Sequence, residues 1–365
     1  MKKVVHVITT ISRGGAENQL LILAREQVRN GWHVSIVYLK DTPELINDFK
    51  DLGVEVVTDC ANHSVIGQVF WLQRYFKKRF TVIHAHLPRA ELLTSVAAHR
   101  NSFIVSRHNA EKFFPSAPTY ISSLLSRFVT KRSKSVIAIS KAVEIFIRSK
   151  NEISKGTDVT IIHYGFDNLF NLNNKKNLNR IRFGLKKNEF VFGVVGRLVP
   201  QKDYPTLLRA FSIFSKDKKN CKLLIVGEGY LKQELQNLAV ELGISANVIW
   251  FGRTDRIREI LNLIDCFVLT SLYEGFGLVL LEAMSANIPI VASDVSAIPE
   301  VLGIKHPLLS IPGNPSNFAK NMNLVANFDA NERVKLLDIQ SIQLKKFEPN
   351  GMSIAIERVY SEISV

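Results

Sequence analysis

The chain has 365 residues, 46% hydrophobic and 22% charged, a composition that excludes a disordered polymer and provides for two domains of ordinary size. Its formal net charge is +14, and residues 1–170 carry +9 of it. Three scattered cysteines, Cys60, Cys221 and Cys266, have no Cys-x-x-Cys spacing, which argues against a disulfide framework and a cysteine zinc site and suits a reducing cytosol.

The opening MKKVVHVITT joins a charged start to a short apolar run broken by His6 and Thr9. No small-residue cleavage site follows, so the run reads as a first buried strand and not as a signal peptide. No stretch of 18 apolar residues occurs, and nothing is expected to span a bilayer. Strands are predicted at Val4–Thr9, His33–Leu39, Val54–Val57, Thr81–His86, Phe103–His108 and Ser135–Ser140, with amphipathic segments such as Ala16–Arg29 and Val65–Lys78 between them. Strands separated by helix-length segments imply βαβ units and a parallel sheet covered on both faces.

The polar, Asn-rich stretch Asp167–Leu185 breaks this rhythm and is placed as the linker, with Asp167–Arg180 as a hinge candidate. The alternation then restarts. Strands are predicted at Phe190–Gly196, Cys221–Gly227, Asn247–Gly252, Asp265–Thr270 and Pro289–Ser293, and helices at Tyr204–Ser215, Tyr230–Leu242, Asp255–Leu263 and Leu278–Ala286. The fold class is therefore α/β, with two doubly wound units in tandem: residues 1–170, residues 171–345, and a terminal helical segment, 346–365, as a candidate to pack back on the first domain. Sheets of this kind bind ligands at the carboxyl ends of their strands.

Four strand-end motifs carry chemistry. In SLYEGFGLVLLEAMSANIPIVAS a strand ends near Ser271, Glu274-Gly275-Phe276-Gly277 makes a tight loop, and a helix starting at Leu278 carries Glu282. Glycines admit a ligand close to the backbone, the helix start favours an anion, and each carboxylate accepts from two hydroxyls, as sugars and ribose offer. Taken alone, Glu282 reads more readily as a helix-face acid paired with a neighbouring Lys or Arg; the second cluster of charges shifts the reading. In VVGRLVPQKDYPTLLRAF, Gly196 turns the chain, Arg197 and Lys202 follow, and Pro205 fits the first turn of the next helix. Two cations at such a junction suit a diphosphate; the plain alternative is two surface cations. GGAENQL, with Gly14 and Gly15, lacks the full G-x-G-x-x-G spacing of nicotinamide sites but offers backbone N–H groups to a phosphate. His108 ends a strand in VSRHNAEKF, and His84 and His86 stand near another strand end in IHAHLPRAE. Those histidines are weak metal candidates, and with no Asp-x-Asp pair to seat Mg²⁺ no metal or other cofactor is expected.

Together these motifs resemble the family-4 retaining glycosyltransferases of the GT-B fold. The matches are GGAE, GRLVPQKDYPTLLRAF, LLIVGEG, EGFGLVLLEAMSANIPIVASDVSAIPEV and a strand-end His108, in order over residues 1–305. The resemblance implies two Rossmann-like domains facing across a cleft and a nucleotide-sugar donor, UDP-linked by preference, held mainly by the second. It implies that Arg197 and Lys202 bind the donor diphosphate, that Glu282 accepts from the ribose and that Glu274 accepts from the sugar. Gly196 and the backbone of Phe276, Gly277 and Leu278 would line the donor, Arg253 and Thr254 would lie near the base, and Gly14 and Gly15 would approach the diphosphate. His108 would stand beside the transferring sugar, with His86 and Arg89 on the acceptor side. His108, Glu274, Arg197 and Lys202 form the expected catalytic set. Ser293 and Ser296 stand where Thr and Gly are common in the family.

Retention is likewise implied by the resemblance, with a front-face reaction in which the leaving phosphate accepts the acceptor's proton. The basic clusters Gln73–Phe80 and Ser126–Ser135 interleave aromatics with Lys and Arg. They suit an anionic membrane surface or a solvated helix face, and no nucleic-acid motif accompanies them. The expected protein is a cytoplasmic enzyme, peripheral on the inner face of the membrane, that transfers a sugar to a glycan or lipid-linked acceptor of a surface polysaccharide such as lipopolysaccharide or capsule. Two alternatives remain: a sugar-nucleotide epimerase or soluble glucan or disaccharide synthase on the same fold, and a non-catalytic carbohydrate- or nucleotide-binding partner subunit.

Overall fold

Short runs of β-branched residues joined by helix-length segments can pair in parallel only through crossovers, and the computed structural model has two such sheets. The structure describes residues 2–362 apart from 41–42, 78–79, 81, 101, 168–179, 217, 219 and 255. The chain divides into two compact units, Met1–Asp167 with Phe347–Val365, and Asn168–Lys346. Most of the Asn-rich stretch expected as linker and hinge, residues 168–179, lies outside the described residues.

In the first unit the strands are β1 (Lys3–Ile8), β2 (His33–Tyr38), β3 (Glu55–Val57), β4 (Val82–His86), β5 (Phe103–Arg107), β6 (Ser135–Ala138) and β7 (Val159–Ile161). The helices are α1 (Gly15–Arg29), α2 (Ile46–Asp51), α3 (Val65–Phe76), α4 (Pro88–Ala97), α5 (Thr119–Arg132) and α6 (Lys141–Ser149). The sheet order is β3-β2-β1-β4-β5-β6-β7, with every described pairing parallel. The direction of winding reverses between β1 and β4, which sets the end of β1 beside the end of β4. Val4, Val5, Val7 and Ile8 are fully buried, because helices cover both faces of the sheet.

The second unit repeats the plan with β8 (Phe190–Val195), α7 (Tyr204–Ser215), β9 (Cys221–Val226), α8 (Lys232–Glu241), β10 (Val248–Gly252), α9 (Ile257–Leu261), β11 (Cys266–Leu269), α10 (Leu278–Ser285), β12 (Ile290–Ser293), α11 (Ile298–Leu302), β13 (Leu309–Ser310), α12 (Pro315–Ala326) and α13 (Ala330–Leu344). The order is β10-β9-β8-β11-β12-β13. The reversal falls between β8 and β11, so the loop leaving β8 and the loop leaving β11 are neighbours. A core of Phe192, Leu207, Phe211, Leu223, Ile225 and Phe318 holds α7 and α12 against this sheet.

The last helix, α14 (Pro349–Ser361), belongs to the first unit and packs on α1. Tyr360 accepts a hydrogen bond from Gln27 Nε2 at 3.1 Å, and Asn30 Nδ2 donates to Glu357 at 2.8 Å. Arg25 closes the same edge through two bonds to Asp167, at 2.5 and 2.6 Å. Among the described residues no helix is long and apolar enough to cross a membrane.

Candidate active site

The loop leaving β8 is tied by backbone hydrogen bonds to the chain leaving β9 and to the loop leaving β11. Gly196 N–H donates to Val226 O, Leu198 N–H to Glu228 O, and Leu272 N–H to Gln201 O. Thr270 Oγ1 reaches the carbonyls of Lys202 and Asp203 at 2.9 and 3.0 Å, and Gln201 Nε2 donates to Tyr273 O. Asp203 adopts φ 47°, accepts from Thr206 N–H and so caps α7, with Pro205 in the first turn as the sequence predicts. Such close loops need small residues on the neighbouring strand. A Cβ on Gly227, where φ is 139°, would lie 1.9 Å from Gly196 O, and one on Gly229 would lie 2.2 Å from Leu198 O.

These loops bring Lys202 and Glu274 into contact. Lys202 Nζ lies 2.6 Å from Glu274 Oε1, and both side chains are largely buried. Ser271 Oγ donates to the same oxygen at 2.6 Å, while Ser296, at φ 56°, donates to Glu274 O at 2.7 Å. Glu274 Oε2 accepts no bond from a described residue. Arg197 is exposed, with no ion pair among the described residues. Gly277 takes φ 92° as it opens α10, a left-handed geometry that glycine adopts freely, and Phe276 is buried beneath the turn. Glu282 lies one turn into α10. Burial pushes its carboxyl up to about 7 against the opposing pull of the Arg258 guanidinium, and its oxygens have no hydrogen-bond partner among the described residues. Arg253 and Thr254 follow β10. Arg253 is exposed, and Thr254 Oγ1 accepts from Arg256 N–H at 3.0 Å.

In the first unit Gly14 is the N-cap of α1 and Gly15 its first residue. The helix start is not bare. Glu17 folds back so far that a Cβ on Gly14 would stand 2.3 Å from Glu17 Oε2, and Thr10 Oγ1 donates to Glu17 Oε1 at 2.8 Å. A phosphate arriving here meets a carboxylate as well as N–H groups. His86 ends β4 and His108 follows β5. Their rings meet, with His86 Nδ1 3.1 Å from His108 Nε2, and His108 Nδ1 lies 2.5 Å from Tyr164 Oη. Arg89, in the first turn of α4, turns away to Gln68 Oε1 at 3.0 Å. His6, His84 and His86 form a fully buried group whose ring nitrogens lie within 4.8 Å of one another.

Residues 13–168 match the family description Glycosyltransferase Family 4, and residues 175–336 match Glycosyl transferases group 1, which together account for most of the chain. The chain belongs to the family-4 glycosyltransferases. This glycosyltransferase is 29% identical over 329 residues to an uncharacterized glycosyltransferase of Methanocaldococcus jannaschii, covering 83% of each chain. It is 27% identical over 280 residues to the UDP-Gal:alpha-D-GlcNAc-diphosphoundecaprenol alpha-1,3-galactosyltransferase of Escherichia coli, covering 69% of each. Its fold is that of Anabaena HepE in complex with UDP-glucose, with TM-score 0.84, 20% identity and coverage of 99% and 100% of the two chains. The two Rossmann-like sheets are thus those of a GT-B enzyme, as the resemblance implied.

Some residues of the candidate site were not visible in the sequence. Ser271 and Ser296 fix Glu274, but a serine near a strand end carries no signal of its own. His6 joins the histidines only because the sheet order sets β1 beside β4 and β4 beside β5, and Tyr164, which follows β7, meets His108 from two strands beyond β5.

Proposed function

We propose that this glycosyltransferase moves a sugar from a UDP-sugar, with retention and without a metal ion, to a lipid-linked or glycan acceptor of a surface polysaccharide. The observation that carries this reading is the buried Lys202–Glu274 pair, with exposed Arg197 in the same loop as Lys202 and Glu282 lacking a hydrogen-bond partner among the described residues. Breaking the bond from the anomeric carbon to the diphosphate leaves negative charge on the phosphate and positive charge on the sugar ring. Fixed cations aimed at the phosphate stabilise that change more than they stabilise the ground state. In this reading Lys202 and Arg197 take the diphosphate, assisted by the N–H groups at the start of α10 around Gly277 and Leu278. Glu274 turns Oε2 to a sugar hydroxyl while Ser271 holds Oε1. Glu282 accepts from the ribose, and Arg253 and Thr254 meet the base. The family resemblance is the ground for assigning Gly14, Gly15 and His108 to the donor and His86 and Arg89 to the acceptor. The E. coli relative is named for a diphosphoundecaprenol acceptor, which supports the lipid-linked reading.

A donor panel tests it. UDP-sugars, GDP-sugars and ADP-sugars are incubated with the full chain in EDTA, and released nucleotide and product are measured, with NMR of the new anomeric linkage. A UDP-sugar turned over in EDTA with a retained linkage is the expected result. Arg197→Ala and Lys202→Ala should each lower turnover by on the order of 10²–10³. Wild-type rates in both variants, or an inverted product, would overturn the assignment.

A further inference from the structure

The histidines of the first unit form one continuous hydrogen-bond chain whose direction is set at Gln27. Gln27 Oε1 lies 2.8 Å from His6 Nε2, so His6 donates from Nε2 and accepts at Nδ1. His6 Nδ1 lies 2.9 Å from His86 Nε2, so His86 also donates from Nε2. Its Nδ1 then accepts from His108 Nε2 at 3.1 Å, and His108 Nδ1 accepts from the Tyr164 hydroxyl at 2.5 Å. The other end of the amide continues the sequence. Gln27 Nε2 donates to Tyr360 Oη, the Tyr360 hydroxyl donates to His84 Nδ1 at 2.8 Å, and His84 Nε2 donates to Ser106 Oγ at 2.7 Å. His6, His86 and His108 thus carry their proton on Nε2, as does His84 when the Tyr360 hydroxyl donates to its Nδ1.

The surroundings keep the rings neutral. Burial lowers His6 to about 4 and His108 to about 3, and it holds His84 and His86 well below the ordinary histidine range. The charged groups that face the chain are Arg107 beside His108, Glu17 near Tyr164 and Glu357 near Tyr360. A metal at His6, His84 and His86 would have to break bonds that every one of these nitrogens already makes.

We propose that the buried chain is a tautomer lock, in which Gln27, His6 and His86 are positioning residues that hold His108 in one ring plane as the neutral Nε2–H form. This rests on placing His108 in the proposed site. With both nitrogens engaged, His108 offers a bound sugar its ring face and C–H edge. It neither donates nor accepts a proton in the reaction, and what the chain supplies is a fixed, uncharged wall.

The test is ¹⁵N NMR of the full-length protein with labelled histidine, which separates the two neutral tautomers from the cation. His6, His84, His86 and His108 are expected as neutral Nε2–H rings, unchanged between pH 6 and 8. Gln27→Leu removes the amide that sets direction, so the signals of His6, His86 and His108 should move to a tautomer mixture. Turnover should fall on the order of tenfold to hundredfold with donor KM little changed. Tyr360→Phe leaves Gln27 Oε1 on His6, so His6, His86 and His108 should all stay Nε2–H in it, and a His108 tautomer mixture in this variant would overturn the proposal even if Gln27→Leu does not fold. A cationic ring at pH 7, an Nδ1–H tautomer among the four in the wild type, a His108 signal unmoved by Gln27→Leu, or one equivalent of metal bound to the purified chain would overturn the proposal. Wild-type turnover in His108→Ala would instead remove His108 from the site and leave the NMR result standing.

Discussion

Glu282 is ionised at some expense to the fold. Its carboxyl is raised to about 7 by burial, above the ordinary value of 4.5, so the protonated form is the one the folded chain favours. A raised folded-state value contributes stability below the unfolded value and loses it as pH rises through about 7. In the role proposed for Glu282, ribose hydroxyls need the carboxylate, which is the form present above that pH. Donor KM should therefore rise as pH falls from 8 to 6, and Glu282→Gln should flatten that dependence while weakening donor binding. The same substitution should stabilise the ligand-free enzyme at pH 8 by on the order of 1–3 kcal/mol. Thermal unfolding at pH 5 and pH 8 checks it: the gain should be confined to the higher pH, and an equal shift at both would show that the carboxyl does not titrate as described. Glu274 differs, because Lys202 and Ser271 already hold one of its oxygens.

At the scale of elements, the loops proposed to hold the donor depend on glycines that follow the strand beside them. Gly227→Ala forces a methyl into Gly196 O and demands a backbone angle that alanine resists, so the Gly196–Asp203 loop must move. We expect donor KM to rise and stability to fall by about 2 kcal/mol or more, measured by donor kinetics and urea unfolding. The elements legible in the sequence are those whose pattern is unambiguous. β1, β2, β8 and β9 are apolar runs bounded by polar turns, and α1 and α7 repeat their apolar residues at helical spacing. α4 escaped because it starts at Pro88 after Leu87 with φ 70°, and its buried face includes Glu91, Thr94 and Ser95. β7 and β13 have three and two residues, too few to show a period. The acidic and basic residues of the candidate site stand out in the sequence because glycine turns mark where strands end, and their binding of a donor is the proposal made above. The histidine chain was not, since His6 and His86 are 80 residues apart and meet only through sheet order.

For the whole molecule, two helices of the more basic first unit place exposed apolar side chains near cations in the chain. α3 and α5 both pack against α4, and they expose Ile66, Phe70, Tyr120 and Leu124 at 65–73%. Arg74 and Lys77 accompany the first pair, and Arg127 and Lys131 the second, all exposed. Exposed apolar side chains beside cations suit an anionic bilayer, with each cation contributing about 1 kcal/mol. Sedimentation with phosphatidylglycerol vesicles should carry the protein down at low salt and release it as salt rises. Phe70→Ser with Leu124→Ser should weaken this binding, whereas no loss in the double variant would place the contact elsewhere.

The position of α14 imposes an order on synthesis. The helix that supplies Tyr360 to Gln27 and His84 leaves the ribosome only after the entire second unit has been made, on the order of ten seconds or more after the strands it covers. Until then the nascent sheet keeps polar groups of its interior without their final partner, so a chaperone would find its earliest-made surface to be the last one sealed.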